Sequence, residues 1–241
     1  MDENISVVIP TYNERDNIED IIGIISKEVR LLEEIIIVDD NSADMTWQLV
    51  DKMARDNPKI KLIRRINKKG LPEAIWEGIL ASKGKRVLWL DADFFALPFT
   101  LTKLLERSSD YDITVASRYA DGGGDERKER IRVMASRLFN KLAKFILRTE
   151  VRDLTSGYIV AKREIFDRIN ISGIYGEYCV RFLYEAERKN FKIKEVPYVC
   201  LSKQKGNSKT AGNIFLFIKY CLIYILTVFK LKLFKNAPEH Y

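Results

Sequence analysis

Short, uninterrupted apolar runs alternate with segments of helical periodicity over residues 5–90, and this alternation constrains the fold more than any other feature. The runs at residues 5–9, 35–38 and 87–90 have the length and composition of strands buried on both faces, and a further strand is predicted at residues 60–64. Residues 13–28, 43–55 and 69–82 repeat apolar side chains at helical spacing, and Asn41 or Ser42 is the expected N-cap of the second helix. This order of elements predicts an α/β domain with a parallel sheet and right-handed crossovers.

The second half of the chain continues with elements of both kinds. Strands are expected at residues 113–117, 158–162 and 192–199, and helices at 127–147 and 179–189. The helix at 127–147 is amphipathic, with an apolar stripe formed by Ile131, Met134, Leu138, Leu142 and Phe145. That stripe is expected either to pack on the sheet or to lie on a membrane surface. We predict one folded domain over residues 1–210, followed by a separate segment, residues 211–241.

The composition supplies a full core and excludes several kinds of active site. Of the 241 residues 46% are apolar and 11% aromatic, which excludes a disordered chain. The only histidine is His240, so a Ser-His nucleophile, a histidine base and a multi-histidine metal site are excluded. Cys179, Cys200 and Cys221 are too few and too scattered for a disulfide scaffold or a zinc site, and they predict reduced thiols in a cytosolic compartment.

The net charge of +7 is concentrated towards the C-terminal end. Residues 203–241 contain seven lysines and one acidic residue, and the lysines interleave with an apolar stretch at residues 214–229. This combination is more typical of a membrane surface than of nucleic-acid binding. A helix of that length would be about 24 Å long, shorter than the roughly 30 Å of a hydrocarbon core. We therefore expect an interfacial, amphipathic helix and not a membrane-spanning one.

Polar residues follow three of the predicted strands at the points where those strands end. They are Pro10-Thr11-Tyr12-Asn13-Glu14, Asp39-Asp40-Asn41-Ser42 and Asp91-Ala92-Asp93. Ligands bind at the carboxyl ends of the strands in open parallel sheets. The carboxylates would repel one another unless a cation neutralised them, and Mg²⁺ that carries substrate phosphates suits such a set. The alternative is that these residues only cap helices and form turns.

A series of short motifs extends these observations over residues 5–210. The motifs are V-I-P-T-Y-N-E at 8–14, I-V-D-D-N-S at 37–42, K-G-L at 69–71, D-A-D at 91–93, A-S-R-Y at 116–119, D-L-T-S-G at 153–157, E-V-P at 195–197 and G-N-S-K at 206–209. Neither a G-x-x-x-x-G-K-[ST] nor a G-x-G-x-x-G motif competes with them. Together they resemble the family 2 glycosyltransferases, and within that family the enzymes that act on dolichyl phosphate.

The resemblance implies a GT-A fold, which is Rossmann-like, over residues 1–210, and a membrane-associated helix in residues 211–241. It assigns the nucleoside pocket and the ribose contacts to Pro10, Tyr12, Glu14, Val38 and Asp40. It places the diphosphate at Asp91, Ala92 and Asp93, with Mg²⁺ or Mn²⁺ held by Asp91 and Asp93. Substrate phosphates would be bound by Arg118, Arg132, Lys203 and Lys209. The implied catalytic residues are Asp93, Arg118, Arg132 and Lys203.

The implied reaction is the inverting transfer of a hexose, with mannose from GDP-mannose favoured, to dolichyl or polyprenyl phosphate at the cytoplasmic face of a membrane. A phosphate acceptor needs no catalytic base because its second pKa is about 6. This agrees with the lack of a histidine near the motifs. A UDP-glucose-dependent transferase is one alternative. A non-catalytic basic module that binds nucleic acid or lipid is another, and it gives no reason for the pair Asp91 and Asp93.

Two positions depart from the usual pattern of the family. Phe95 stands where a polar residue commonly follows the acidic pair, and Lys203 stands where an arginine is usual. A lysine keeps the charge but lacks the fork with which arginine binds phosphate. These departures concern the sugar and the metal geometry more than the type of reaction.

Overall fold

The computed structural model of the chain describes residues 3–92, 98–201 and 214–233. The strands are, in chain order, β1 (Ile5–Thr11), β2 (Leu32–Asp39), β3 (Ile60–Arg64), β4 (Arg86–Trp89), β5 (Ile113–Ser117), β6 (Gly124–Asp125), β7 (Ile159–Lys162), β8 (Ile193–Pro197) and β9 (Val199–Cys200). The helices are α1 (Arg15–Glu28), α2 (Thr46–Asp56), α3 (Leu71–Ala81), α4 (Phe99–Ser108), α5 (Arg130–Leu147), α6 (Tyr178–Arg188) and α7 (Ile214–Leu233).

Seven strands form one sheet in the order β3-β2-β1-β4-β7-β5-β8. β1 pairs in parallel with β2 and β4, and β2 pairs in parallel with β3, as predicted. β7 departs from the prediction because it runs antiparallel to both β4 and β5. A short apolar strand can pair in either direction, so its orientation depends on the path of the chain before it and not on its own residues.

Helices cover both faces of the sheet and bury the strands on both sides. All seven residues of β1 are buried. Val8 joins the core beneath α3 and α6, whereas Val7 and Ile9 join the core beneath α1 and α4. The continuous apolar runs of the sequence are therefore doubly covered strands. The strand order reverses next to β1, which lies between β2 and β4, and this brings the polar ends of all three strands to one crevice.

α2 begins later than the sequence pattern predicts. It starts at Thr46, after Met45 in the left-handed conformation with φ of 65°, and neither Asn41 nor Ser42 caps it. Ser42 Oγ instead donates a hydrogen bond to Asp39 at 2.6 Å. The side chain expected to cap the helix therefore holds the loop that follows β2.

α7 packs against α5 and α6, and it runs parallel to α5. The guanidinium of Arg132 on α5 lies 5.4 Å from the ring centre of Phe217 on α7. One contact further along, Phe139 meets Tyr224 edge to face, with ring centroids 5.2 Å apart. The contact positions advance by seven residues on both helices, so the two helices point in the same direction.

Both helices leave apolar side chains exposed on one side of this seam. On α5 the exposed Ile131 and Leu138 precede the contact positions by one residue, and on α7 the exposed Ile218 and Ile225 follow them by one. On parallel helices, with about 100° between successive residues, these opposite offsets point to the same side. We call this surface the α5–α7 face. Its exposed apolar residues are Ile131, Met134, Leu138, Leu142, Phe145, Phe215, Ile218, Leu222, Ile225 and Phe229.

The sheet side of α5 carries a different set of residues from its apolar stripe. Asn140, Ala143 and Leu147 are the residues that α5 buries, so the alternative in which the stripe packs on the sheet is wrong. None of the helices in the described ranges is long and apolar enough to cross a membrane. The predicted boundary between residues 210 and 211 lies outside those ranges.

Candidate active site

A cleft of about 740 Å³ opens at the carboxyl ends of β1, β2 and β4. Eight of the residues predicted from the sequence line it, namely Pro10, Tyr12, Glu14, Asp40, Asp91, Ala92, Arg118 and Arg132. Val38 does not line it, because its side chain is fully buried in the core beneath α3. Asp93, Phe95, Lys203 and Lys209 lie outside the described residues.

Asp39 stabilises the loop that follows β2 at the edge of this cleft. Its buried carboxylate accepts hydrogen bonds from Thr11 Oγ1 at 2.8 Å and from the Ser42 hydroxyl and main-chain N–H at 2.6 and 2.8 Å. These bonds join the ends of β1 and β2. The turn-forming role that the sequence left open therefore holds for Asp39.

Asp40, the next residue, lines the cleft. Its Oδ2 accepts a hydrogen bond from the Gly70 N–H at 2.9 Å, and its Oδ1 lies 3.0 Å from Arg65 Nη1 without hydrogen-bond alignment. Burial, only partly offset by Gly70 and Arg65, raises the pKa of Asp40. A buried carboxylate oxygen of this kind is suited to accept an N–H from a ligand. Lys69 Nζ lies 4.9 Å from the ring centre of Tyr12 at the same end of the cleft.

Asp91 follows β4 and exposes its carboxylate to the cleft. A Cβ at Gly157 would lie 3.9 Å from Asp91 Oδ2 and 3.3 Å from the Tyr178 hydroxyl, so glycine keeps the space beside the carboxylate open. An oxygen donor beside open space fits Mg²⁺ or Mn²⁺, since such ions are held by one or two carboxylates and by substrate phosphates. Within the described ranges no three Asp, Glu, His or Cys side chains cluster as a ready-made metal site. The sequence predicts Asp93 as the second carboxylate ligand.

Arg118 is held by a buried carboxylate, Asp153. Its Nε and Nη2 donate to Asp153 at 2.8 Å each, and its main-chain N–H donates to the same group at 3.0 Å. Burial opposes both charges, but the ion pair outweighs it, so the pKa of Arg118 is raised well above its ordinary value and the pKa of Asp153 is lowered. The fork of Arg118 is thus occupied by Asp153, and its Nη1 lies 3.6 Å from Asp125 Oδ2.

Two more arginines, Arg127 and Arg132, line the cleft near Arg118. Asp125 binds Arg127 through Nε and Nη2, both at 2.7 Å. Arg127 was not predicted as a site residue, because it stands in a run of mixed charge that is typical of a solvated helix start. The pairing of β6 with β9 brings it to the cleft, and no local pattern in the sequence signals that pairing.

Three tyrosines, Tyr175, Tyr220 and Tyr224, form an aromatic wall of the cleft. The rings of Tyr175 and Tyr220 stack with centroids 4.0 Å apart and planes 15° apart. Burial, with a smaller contribution from the charge of Asp91, raises the pKa of Tyr175 to about 12, so its hydroxyl is uncharged near pH 7. The wall was not predicted from the sequence, because Tyr220 and Tyr224 lie in the segment interpreted as a membrane-associated tail.

The family of the chain follows from its similarity to known sequences. The model of glycosyl transferase family 2 matches residues 6–169, which include β1 to β7 and the acidic residues of the cleft. The chain belongs to glycosyl transferase family 2. The family that the motifs indicated is therefore confirmed.

Two curated members of the family match most of the chain. One is a dolichol-phosphate mannosyltransferase from Pyrococcus furiosus, 31% identical over 222 residues, which are 90% of this chain and 62% of the relative. The other is a polyprenol monophosphomannose synthase from Mycolicibacterium smegmatis, 32% identical over 215 residues, which are 86% of this chain and 81% of the relative. The chain thus spans less than two thirds of the length of the first relative.

Solved structures of other proteins share the fold. A glucosyl-3-phosphoglycerate synthase from Mycobacterium tuberculosis, in complex with Mn²⁺, UDP and glucosyl-3-phosphoglycerate, superposes with a TM-score of 0.72 at 18% identity. The match covers 99% of this chain and 82% of that one. At this identity the likeness shows the fold alone, and it confirms the GT-A fold that the motifs implied.

Proposed function

We propose that the chain is an inverting glycosyltransferase that moves a hexose, most directly mannose from GDP-mannose, to polyprenyl or dolichyl phosphate. The observation that carries this proposal is one cleft that holds Asp40 and Asp91 at the strand ends and Arg118, Arg127 and Arg132 beside them. Such a cleft can bind a nucleoside diphosphate and a second anion together. Both curated relatives are named for the mannosylation of dolichol or polyprenol phosphate, which supports this choice of sugar and acceptor.

The nucleoside would bind at the end of the cleft formed by Pro10, Tyr12, Glu14 and Asp40. Asp40 supports this assignment because its buried carboxylate can accept an N–H from the base. Val38 would act from below, as part of the core on which the ends of β1 and β2 rest. Ala92 is buried between the cleft and the core and would limit how deeply the diphosphate sits.

Asp91 and Asp93 are the proposed ligands of Mg²⁺ or Mn²⁺. The bound ion would neutralise the charge of the departing diphosphate. The open space that Gly157 leaves beside Asp91 supports this assignment. Solved fold relatives described with Mn²⁺ or with Mg²⁺, in each case together with UDP, also support it.

The acceptor phosphate would bind beside Arg132 and Arg127, with Lys203 and Lys209 as further predicted contacts. Arg118 would contribute charge from a position held by Asp153. A phosphate oxygen of the acceptor attacks the anomeric carbon, the bond from that carbon to the diphosphate oxygen breaks, and the nucleoside diphosphate leaves. The acceptor phosphate is already a dianion near pH 7, so no residue has to remove a proton.

We also propose that the α5–α7 face binds the membrane surface that supplies the acceptor, with residues 211–241 as the membrane-associated segment. Its ten exposed apolar side chains lie on one side of two adjacent helices, and a contiguous exposed apolar patch commonly marks a site of contact with a protein or a membrane. The exposed cations Arg137, Lys141 and Lys219 accompany the apolar side chains on the same two helices, as expected for an anionic lipid surface. The three free thiols support the cytoplasmic side of that membrane.

Turnover of the full chain with two donors tests the proposal. The chain is mixed with anionic vesicles that contain undecaprenyl phosphate, a divalent ion, and either GDP-mannose or UDP-glucose. We expect transfer from GDP-mannose to be faster by at least about tenfold, which corresponds to about 1.4 kcal/mol of discrimination. Faster transfer from UDP-glucose would change the donor and keep the reaction class. Transfer from neither donor, together with salt-sensitive binding to DNA, would favour the non-catalytic alternative.

A further inference from the structure

α7 contributes to the cleft as well as to the α5–α7 face. Phe217 and Tyr224 contact α5, whereas Tyr220 stacks on Tyr175 and lines the cleft. Ile174 lines the cleft next to Tyr175 of the aromatic wall, so one part of the cleft is lined by aromatic and aliphatic surface. At about 100° per residue Tyr220 lies roughly 200° around the helix from Ile218 and from Leu222, so α7 turns opposite sides to the cleft and to the exposed face.

The aromatic wall lies in the same cleft as Arg132, which is tied to α7 by its contact with Phe217. A ligand that fits both would have an anionic head for the guanidinium and an apolar group for the tyrosine rings. The Tyr175–Tyr220 stack presents a flat aromatic surface, against which a branched hydrocarbon can pack. The chemistry of this corner therefore matches a prenyl monophosphate.

We propose that the Tyr175–Tyr220 stack is the binding subsite for the first isoprene unit of the acceptor, and that it positions the acceptor phosphate beside Arg132. This inference rests on the proposed function and adds how the acceptor is selected. The subsite recognises the isoprene unit next to the phosphate and does not distinguish prenyl chains of different length.

The test compares acceptors that differ only beyond the phosphate. Methyl phosphate lacks an isoprene unit, dimethylallyl phosphate has one, and farnesyl phosphate has three. For wild type and Tyr220→Ala, kcat/KM is measured for each acceptor in detergent-free buffer at saturating donor. Removing the ring should lower kcat/KM for dimethylallyl and farnesyl phosphate by the same factor, about tenfold, as the loss of one aromatic contact predicts. The value for methyl phosphate should change by less than about twofold.

Two further variants separate a subsite from a general loss of structure. Tyr220→Phe keeps the stacked ring and should restore most of the preference for prenyl acceptors. Tyr111→Ala makes the same truncation at a partly buried tyrosine before β5, outside the cleft. It should leave kcat/KM unchanged for all three acceptors. The KM for the donor and the melting temperature are measured for each variant.

The outcomes distinguish this inference from the proposed function. One contrary result is that Tyr220→Ala lowers kcat/KM equally for all three acceptors, and another is that it lowers kcat/KM for farnesyl phosphate alone. Either result would disprove the subsite, while the enzyme would remain a prenyl-phosphate transferase. If the wild type used no prenyl phosphate at all, the proposed function would be wrong, and this inference would fall with it. A selective loss for both prenyl acceptors, reversed by Tyr220→Phe, would establish the subsite.

Discussion

Asp39, Asp91 and Asp153 show how surroundings give one residue type three roles. Asp39 is buried and bonded to Thr11 and Ser42, so it holds a loop. Asp153 is buried and neutralises Arg118. Asp91 is exposed to the cleft and lies beside a glycine. The chemistry of a carboxylate depends on the partners that reach it, and the partners of Asp39 and Asp153 leave no room for a substrate.

Replacing Asp91 tests its role in the reaction. Asp91→Asn should lower kcat/KM by at least about 100-fold, because the loss of a metal-borne charge commonly removes several kcal/mol of transition-state stabilisation. The fold should be unchanged, since Asp91 is exposed. Turnover at saturating Mn²⁺ and the circular dichroism spectrum are the measurements, and Asp110→Asn on an exposed turn is the control. Near-normal turnover would refute the assignment. The sequence predicts the same loss for Asp93→Asn.

Replacing Asp153 tests the buried ion pair. Asp153→Asn leaves the buried guanidinium of Arg118 with only Asp125, 3.6 Å from its Nη1, as a counter-charge, and it should lower the free energy of unfolding by about 3–5 kcal/mol at pH 7. Urea unfolding measures this change. Asp121→Asn is the control, because its ion pair with Arg152 is on the surface and its loss should leave the urea midpoint unchanged.

The same pair predicts how stability depends on pH. The pKa of Asp153 is lower in the folded chain than its ordinary value of 3.8. The pair therefore stabilises the fold above that value, and its contribution is lost as the pH falls through the lower, folded pKa. The difference in unfolding free energy between wild type and Asp153→Asn should be full at pH 7 and should shrink below about pH 4. A difference that stayed constant down to pH 3 would show that charge is not its source.

At the scale of single elements, α5 and α7 behave unlike the other helices. The apolar side of α1, formed by Ile18, Ile21, Ile22 and Ile25, is buried against the sheet. The apolar stripe of α5 faces outward, next to that of α7. An amphipathic helix needs an apolar partner, and in the described part of the chain this face has none beyond the two helices themselves.

Charged residues on that face should abolish membrane binding without unfolding the chain. Leu138→Asp combined with Leu142→Asp should weaken co-sedimentation with anionic vesicles by at least about tenfold, because burying each leucine in an apolar phase is worth about 1.5–3 kcal/mol. Both side chains are half exposed or more, so the melting temperature should not fall. Leu80→Asp, an exposed position on α3, is the control. Unchanged sedimentation would refute the assignment, and a shift from dimer to monomer without lipid would identify a protein interface instead.

For the whole molecule, the position of α7 joins the surface to the site. Tyr224, Val228 and Leu231 pack against the core beneath α3 and α6, and Tyr220 reaches the cleft. The nucleoside end, at Tyr12 and Asp40, is built only from the first half of the chain. The molecule therefore divides into a half with the proposed donor end, which the first half of the chain builds, and a half with the proposed acceptor end, which α7 completes.

Removing the C-terminal segment tests that division. A chain that ends at Thr210 should melt about 5–10 °C lower, since it loses the apolar packing of α7 against the core. It should also lose vesicle binding and transfer to long-chain polyprenyl phosphate. Titration calorimetry should still detect binding of the nucleotide-sugar and of the metal ion, because the residues proposed to bind the donor lie outside the removed segment. Loss of donor binding in a chain that remains folded would show that the two halves are not separate.

The sequence determined the layers of the fold and the donor end of the cleft. Apolar runs with a β-branched composition become strands wherever both faces are covered, and β1 and β5, whose residues are all buried, follow that pattern closely. α4 was missed although Leu101, Leu104 and Leu105 have helical spacing, so that signal was present and readable. The polar ends of β1, β2 and β4 meet because neighbouring parallel strands end at the same edge of the sheet.

The acceptor side was decided by the tertiary structure alone. The reversal of β7, the pairing of β6 with β9, the Tyr175–Tyr220 stack and the outward face of α5 all join residues that are distant in the chain. Local composition carries no information on which distant surface a side chain will meet. Apolar spacing on α5 shows that one side needs an apolar partner, but the partner is chosen by which surfaces the assembled sheet and its helices leave free. Here the core was already filled by α3 and α6, and the stripe remained outside.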